Sequence, residues 1–225
     1  MKKERGSEKA AVIKGILCGL LLLVLVCGIA IALLTNIDWL YRLDMKLLDI
    51  GKYSGGYSDE VILRNYHGAV SFMNRIFSTD TFTLPDLAVS EAGAIHFDDC
   101  RKITRGLYLL SAVAIPLCIL LTVSVAKAAR RRYLIASGIS LLAAPAAIAV
   151  SIAIDPDWFF VTFHKIFFSN DYWLFNWDRD QVIRILPEPF FIHCAIVIVL
   201  FWFVTAAILF ARAHRYKTLT MSQPD

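Results

Sequence analysis

The sequence predicts an all-α membrane protein: a four-helix transmembrane bundle with a small, mostly helical extracellular cap. Three observations predict it. Of 225 residues, 58% are apolar and only 19% charged. The apolar residues are gathered into four long blocks, and cations and carboxylates are shared unequally among the connections between them. Such a composition excludes a soluble globule, a disordered chain and a collagen-like chain. A balance of 23 Lys+Arg against 19 Asp+Glu gives no reason to expect nucleic acid as a partner. Five cysteines without a CxxC pair do not make a disulfide framework.

Residues 1–10 form a tail ahead of the first block. A bilayer core about 30 Å thick needs roughly 20 apolar helical residues, and residues 11–34, 107–126, 134–154 and 190–211 meet that length. The first block is longer than a signal-peptide core and no small-residue cleavage site follows it, so it is read as a retained anchor. Lys14 lies close enough to its end to snorkel, and Pro116 and Pro145 can kink the second and third spans without abolishing them. Four crossings put both termini on one side. The positive-inside rule makes that side cytoplasmic, because Lys2, Lys3, Arg5 and Lys9, then Lys127, Arg130, Arg131 and Arg132, then Arg212, Arg215 and Lys217 fall in residues 1–10, 127–133 and 212–225. Those three segments hold only Glu4, Glu8 and Asp225 as acids, whereas residues 35–106 and 155–189 carry the other carboxylates and are expected outside.

Residues 35–106 are too many for a bare connection and are expected to fold. Ile62, Tyr66, Ala69, Val70, Met73 and Phe77 recur at helical spacing, predicting an amphipathic helix over 60–77. Tyr53-Ser54-Gly55-Gly56 reads as a turn before it and Thr83-Leu84-Pro85-Asp86 as a break after it. Ser90 is a candidate N-cap for a helix that runs over 91–105 into the second span and brings His96 towards the outer interface. In the second external segment Asp155-Pro156-Asp157 ends the third span. Trp158 to Phe168 then places Phe160, Val161, His164, Phe167 and Phe168 on one helical face, Asn170-Asp171 turns, and Pro187-Glu188-Pro189 opens the fourth span.

Among the histidines, His214 falls in the basic tail, His67 in the cap helix and His193 at the start of the fourth span, all suited to surface, capping or interfacial roles. His96 and His164 stand apart, since each comes from a different external segment at the same expected depth. Two imidazoles over a lipid-facing cavity could act as general base and general acid. Asp99, at i+3 from His96, could fix that ring's tautomer, with an exposed helix ion pair as the alternative. A zinc site on His96, Cys100 and His164 competes only weakly, because no HExxH is present; nucleophile elbows and phosphate-binding glycine loops are also missing. The aromatic run from Trp158 to Trp177 exceeds what an interfacial belt requires and would pack acyl chains while keeping water from a reacting ester.

These residues together resemble the bacterial lipoprotein intramolecular transacylase family of four-span membrane proteins. The likeness rests on Asn65-Tyr66, on the run from Leu84 through Ser90-Glu91 and His96 to Asp99, and on the run Phe163-His164-Lys165-Ile166-Phe167-Phe168-Ser169-Asn170-Asp171-Tyr172-Trp173, continuing through Asp180 to Glu188 and Phe191. Two residues depart from the family pattern: Cys100, where an aliphatic residue is usual, and Trp177, where proline is usual. Neither is expected to touch a histidine.

The resemblance implies a multi-pass protein of the bacterial cell membrane, with catalytic His96 and His164 where an extracellular cap meets the bilayer. The remaining residues of the matched runs would support the pocket: Asp99, Asn65, Tyr66, Ser90, Glu91, Phe163, Phe167, Phe168, Asn170, Asp171, Trp173 and Glu188. The implied reaction moves the sn-2 acyl chain of a diacylglyceryl-cysteine lipoprotein to the α-amine of the same cysteine, leaving a lyso-form lipoprotein, with no cofactor and no metal. Its partners would be diacylated lipoproteins and the phospholipid bilayer. Asn170, Asn65 and backbone N–H groups near Ser90 are candidate oxyanion donors. The alternative reading is a non-catalytic membrane protein whose cap binds a lipid or protein partner.

Overall fold

The computed structural model describes residues 2–221, and the side chains of residues 6–216. Lys2, Lys3, Glu4, Arg5, Lys217 and Asp225 of the charge pattern lie outside the described side chains. Among the described residues the structure is helical and contains no strand: α1 Lys2–Asn36, α2 Trp39–Leu47, α3 Ile50–Tyr53, α4 Asp59–Asn74, α5 Glu91–Val123, α6 Arg130–Ile154, α7 Pro156–Phe167 and α8 Glu188–Met221, with 3-10 turns at Lys127–Ala129 and Gln181–Arg184. Four helical stretches are long and apolar enough to cross a membrane: Gly6–Asn36, Glu91–Val123, Lys127–Ile154 and Glu188–Tyr216. The protein is an all-α membrane protein. Helix α2 falls where the sequence pattern offered no periodic signal beyond Trp39, Leu40, Leu43 and Leu47, and its nine residues are too few for that signal to stand out.

The chain divides into two compact units. The first comprises residues 1–30, 107–150 and 197–225. Its helices contact one another through small residues, as expected where lipid gives no hydrophobic drive for helix association. Gly15 and Gly19, four residues apart on α1, meet α6 so closely that a Cβ at Gly15 would lie 2.5 Å from the Tyr133 carbonyl oxygen, and one at Gly19 would collide with Ser140. Hydrogen bonds reinforce these approaches. The Trp202 indole donates to the Leu23 carbonyl at 2.9 Å, the Thr122 and Tyr133 hydroxyls pair at 2.7 Å, and Lys14 donates to Ser124 Oγ at 2.8 Å, where the α5–α6 connection begins. Lys14 thus reaches the end of the neighbouring helix instead of open solvent. Leu110, Val113, Leu120, Leu200 and Val204 are all more than half exposed, which is stable only against lipid. Pro116 and Pro145 lie inside uninterrupted α5 and α6. Helix α5 stops at Val123 and α6 resumes at Arg130, so Arg130 to Arg132 are helical and Arg132 pairs with Glu8.

The second unit comprises residues 31–106 and 151–196. Its core is aromatic. Tyr41 of α2 stacks on Tyr66 of α4 at 3.7 Å, Phe190 meets Tyr41 edge-on at 5.3 Å, and the Tyr41 hydroxyl donates to the Ile185 carbonyl at 2.7 Å. Phe72, Phe82 and Phe97 continue this core from α4 to α5, with Phe82 stacked on Phe97 at 3.9 Å. Buried Arg101 covers the Phe72 ring at 4.0 Å and pairs with Asp80 and Asp98. Helix α4 spans Asp59–Asn74 with Ser58 as its cap, and the turn before it needs Gly55 and Gly56, whose φ values of 87° and 96° few side chains tolerate.

Candidate active site

The two histidine-bearing segments are aligned by hydrogen bonds, several of them to buried Asp180. Ser90 caps α5 by accepting from the Gly93 N–H at 3.1 Å, as its position predicted. Asp180, buried, accepts from the Ser90 N–H at 3.0 Å through one oxygen and from the Asn176 N–H at 3.1 Å through the other. A Cβ at Gly93 would lie 2.5 Å from Asp180 Oδ1, so the close approach requires glycine. Ala88 and Gln181 exchange two further bonds, at 2.9 and 3.0 Å. The strand of chain entering α5 is therefore stitched to the segment after α7. On α4, Arg64 clamps Asp86 through two bonds of 2.8 Å, and Asn65 holds Asp86 from both sides while also donating to the Val61 carbonyl.

Helices α5 and α7 then bring His96 and His164 together, with ring centroids 5.8 Å apart and planes inclined by 34°. Both are buried, at 6% and 9% exposure. Phe160 lies 4.2 Å and Trp173 4.8 Å from the His164 ring, while Phe168 and Phe175 lie 4.6 and 5.4 Å from the His96 ring. Of the face expected on α7, Phe160 and His164 share the contact, but Phe167 is half exposed. Phe168 joins the site because the helix ends at Phe167 and the extended backbone at 168 turns that ring inward. Phe163 meets His164 edge-on at 5.5 Å.

Each ring is held differently. His164 Nδ1 lies 2.7 Å from the Phe160 carbonyl, which can only accept, so Nδ1 carries the proton and Nε2 of the neutral ring keeps its lone pair. Burial holds the His164 pKa below its ordinary value, opposed by that backbone bond. His96 Nε2 faces the Cys100 sulfur at 3.5 Å, and His96 Nδ1 is buried without a protein partner among the described residues.

Several expectations need correction. Cys100 does touch a histidine: one helical turn after His96, it occupies the position where Asp99 was expected to fix the tautomer. Asp99 sits to one side, accepting from Lys102 at 3.0 Å and from the Asn170 amide at 3.1 Å, and so ties α5 to the loop after α7. Asn65 has both amide hydrogens committed, and the Ser90 N–H is taken by Asp180, so neither is placed to hold an oxyanion. Asp171 accepts from the Leu174 N–H at 3.0 Å through its carbonyl, shaping the turn that returns Trp173 to His164. Tyr66 belongs to the aromatic core, Glu91 is exposed at the start of α5, and Glu188 opens α8 with its pKa raised by burial and by Asp157. Trp177 lies outside the pair, edge-on to Tyr53 at 5.3 Å. His67 pairs with Asp38 at 3.0 Å, and His193 with buried Asp44 at 2.8 Å, a stronger tie than an interfacial side chain would make. Among the described residues no group of three His, Cys, Asp or Glu side chains is arranged to hold a metal.

The sequence reading missed Asp180 as an alignment point and Asp44 as the partner of His193. Both contacts span long sequence separations, and no local spacing announces them. Cys100 at i+4 from His96 was visible as helical spacing.

Four helices long and apolar enough to cross a membrane, with a buried imidazole pair in an aromatic cage, define an integral membrane protein. The family model for the lipoprotein intramolecular transacylase Lit matches residues 16–191. The structure is similar to that of the membrane-integral lipoprotein intramolecular transacylase Lit from Bacillus cereus, with 26% identity and a TM-score of 0.85 over 96% of this chain and 98% of that one. A variant of that Bacillus cereus protein with a histidine-to-arginine substitution matches at 26% identity and a TM-score of 0.81, over 99% and 97% of the two chains. No curated protein matches the sequence. The chain belongs to the lipoprotein intramolecular transacylase family, and it is an acyltransferase of the membrane.

Proposed function

We propose that the protein moves the sn-2 acyl chain of a diacylglyceryl-cysteine lipoprotein to the α-amine of the same cysteine, using His96 and His164. The observation that carries this reading is the buried facing of the two imidazoles at 5.8 Å inside an aromatic cage. An α-amine with a pKa of about 7.7–8.0 must be neutral to attack, and its attack on the ester then sheds a proton. His164 Nε2, with its lone pair fixed by the Phe160 bond, takes that proton as general base.

If the Cys100 S–H donates to His96 Nε2, the His96 proton sits on Nδ1, the buried atom that has no protein partner. His96 then presents N–H to the departing glyceryl oxygen. Over one turnover the pair gains one proton from the amine and returns one to the alcohol, so ester and amine become amide and hydroxyl with no external reagent. Donor and acceptor belong to one substrate, so orientation supplies much of the rate; effective molarities of roughly 10⁵–10⁸ M are attainable in such reactions. Phe160, Phe168, Trp173 and Phe175 keep water, the competing acceptor, out of the cage.

The orientation that fits best has both termini in the cytoplasm and the histidine pair at the extracellular face of the bacterial membrane, because Lys127, Arg130, Arg131, Arg132, Arg212 and Arg215 are cytoplasmic by the positive-inside rule. The test is mass spectrometry of the N-terminal peptide of one lipoprotein from cells with and without the protein. Conversion of diacylglyceryl to lyso-form peptide, lost in His96→Ala and His164→Ala, is the expected result. Full conversion by either variant removes that histidine from the mechanism.

A further inference from the structure

The site contains one more donor suited to the reaction. Trp173 is buried at 7% exposure, and its indole Nε1 makes no hydrogen bond to any described protein atom. Its ring stacks on His164, with centroids 4.8 Å apart and planes inclined by 27°. The indole of Trp202, by contrast, donates to the Leu23 carbonyl. An indole N–H is a donor only, and burying it without an acceptor costs free energy that the fold recovers when an acceptor arrives. His96 Nδ1 is the other buried and unpartnered side-chain nitrogen in the cage. Of the donors named from the sequence, Asn65 and the Ser90 N–H are spent on scaffold contacts, and Asn170 has one amide hydrogen engaged by Asp99.

Resting on the transacylase reading, we propose that the Trp173 indole N–H donates to the carbonyl oxygen of the ester as it becomes the tetrahedral oxyanion. The amine nitrogen forms the new C–N bond, and the carbonyl π pair moves onto the oxygen held by Trp173. That pair returns as the bond from the acyl carbon to the glyceryl oxygen breaks, and the alcohol leaves with the proton supplied by the histidine pair. The same ring offers its face to His164, which favours the imidazolium formed when the base is loaded. Trp173 would then couple the two charges of the transition state, negative on the oxygen at its N–H and positive on the ring beneath it.

The experiment uses the purified full-length protein in lipid with a synthetic diacylglyceryl-cysteine lipopeptide, read by mass spectrometry. Trp173→Phe keeps an aromatic face and removes the N–H. Benzothienylalanine at position 173 keeps the bicyclic shape and replaces only N–H with sulfur, so it decides the matter if the phenylalanine variant folds poorly. The expected result is a fall in kcat of about 10²–10³-fold, the loss seen when one oxyanion donor is removed. KM should stay within a few-fold, and the acid limb of the pH profile should not move, because the ring on His164 persists. Wild-type kcat in the benzothienyl variant, or a rise in KM alone, overturns the assignment to Trp173 and leaves the transacylase reading standing. No conversion by the wild-type protein overturns that reading, and this inference with it.

Discussion

The two units are built from continuous helices, yet they are stabilised in opposite ways. Where residues 1–30, 107–150 and 197–225 pack together, contacts pass through Gly15, Gly19, Ala136 and Ser137, and large apolar side chains face outward. Where residues 31–106 and 151–196 fold, large aromatics and bonded polar groups fill the interior: Tyr41, Tyr66, Phe82, Phe97, Arg101, Asp180 and the histidine pair. The first arrangement tolerates no added volume, since two backbones are already in contact. The second is sensitive to a lost hydrogen bond, since buried groups such as Asp180 and Asn65 depend on particular partners. The proposed chemistry uses the second kind of interior, where a desolvated imidazole can be held in one tautomer.

The largest effect expected is at the pair itself. His164→Ala and His96→Ala should each lower the rate of lyso-form production by at least about 10²–10⁴-fold, the usual worth of general acid–base catalysis. Thermal unfolding of the detergent-solubilised variants should stay cooperative. Next comes the stitching: Asp180→Ala removes the acceptor for Ser90 and Asn176, and a shift of the two segments approaching 1 Å should cost up to about 10²-fold in kcat.

The pH dependence should be weaker and of fixed sign. Burial holds the folded His164 pKa below 6.5, so the neutral base is fully present at pH 7 and is lost as pH falls through that lowered value, by about tenfold per unit. Rates should keep rising above pH 7 and level off about one pH unit above the substrate amine's pKa of about 7.7–8.0, where the amine is mostly neutral. Stability should follow the same direction. His164 binds a proton more readily when unfolded, so its contribution to stability is full above about pH 6.5 and is lost as pH falls through its lowered folded value, as thermal melts across that range would report.

The comparison sharpens with a substitution in the first unit. Gly19→Leu should destabilise the protein by about 1–3 kcal/mol through overpacking against α6 while leaving kcat per folded molecule near wild type. The smallest change is expected from Cys100→Ala, which removes the thiol beside His96 Nε2 and nothing else. A few-fold loss of kcat with unchanged melting temperature would match a role in holding the tautomer.

Much of this organisation was legible without coordinates. The four spans follow from length and hydropathy. The Ser90 cap follows from side-chain chemistry, the α4 helix from its apolar spacing, and the resemblance of two runs carried His96 and His164. Less was legible at the site. Asp99 has the right spacing for His96 but turns to Lys102 and Asn170, because those partners offer it a cation and an amide. Cys100, read as a departure of small consequence, reaches the ring one turn away. Helix α2 passed unnoticed, and with it Asp44, one of whose carboxylate oxygens is paired by His193 from the far end of the chain.

Sequence alone determined that this chain is helical, enters a membrane and carries histidines in two separate segments between the spans, because hydropathy, capping and spacing act between near neighbours. Only the tertiary structure decided which side chains hold those rings. Partners such as Phe160 and Cys100 depend on where a helix starts and which face it buries. Others, such as Trp173 stacked on His164 or Asp180 bonded to Ser90, depend on loops and distant segments brought together by folding. A pKa, a tautomer and a free N–H are properties of that enclosure, since removing water is what gives each remaining contact its weight.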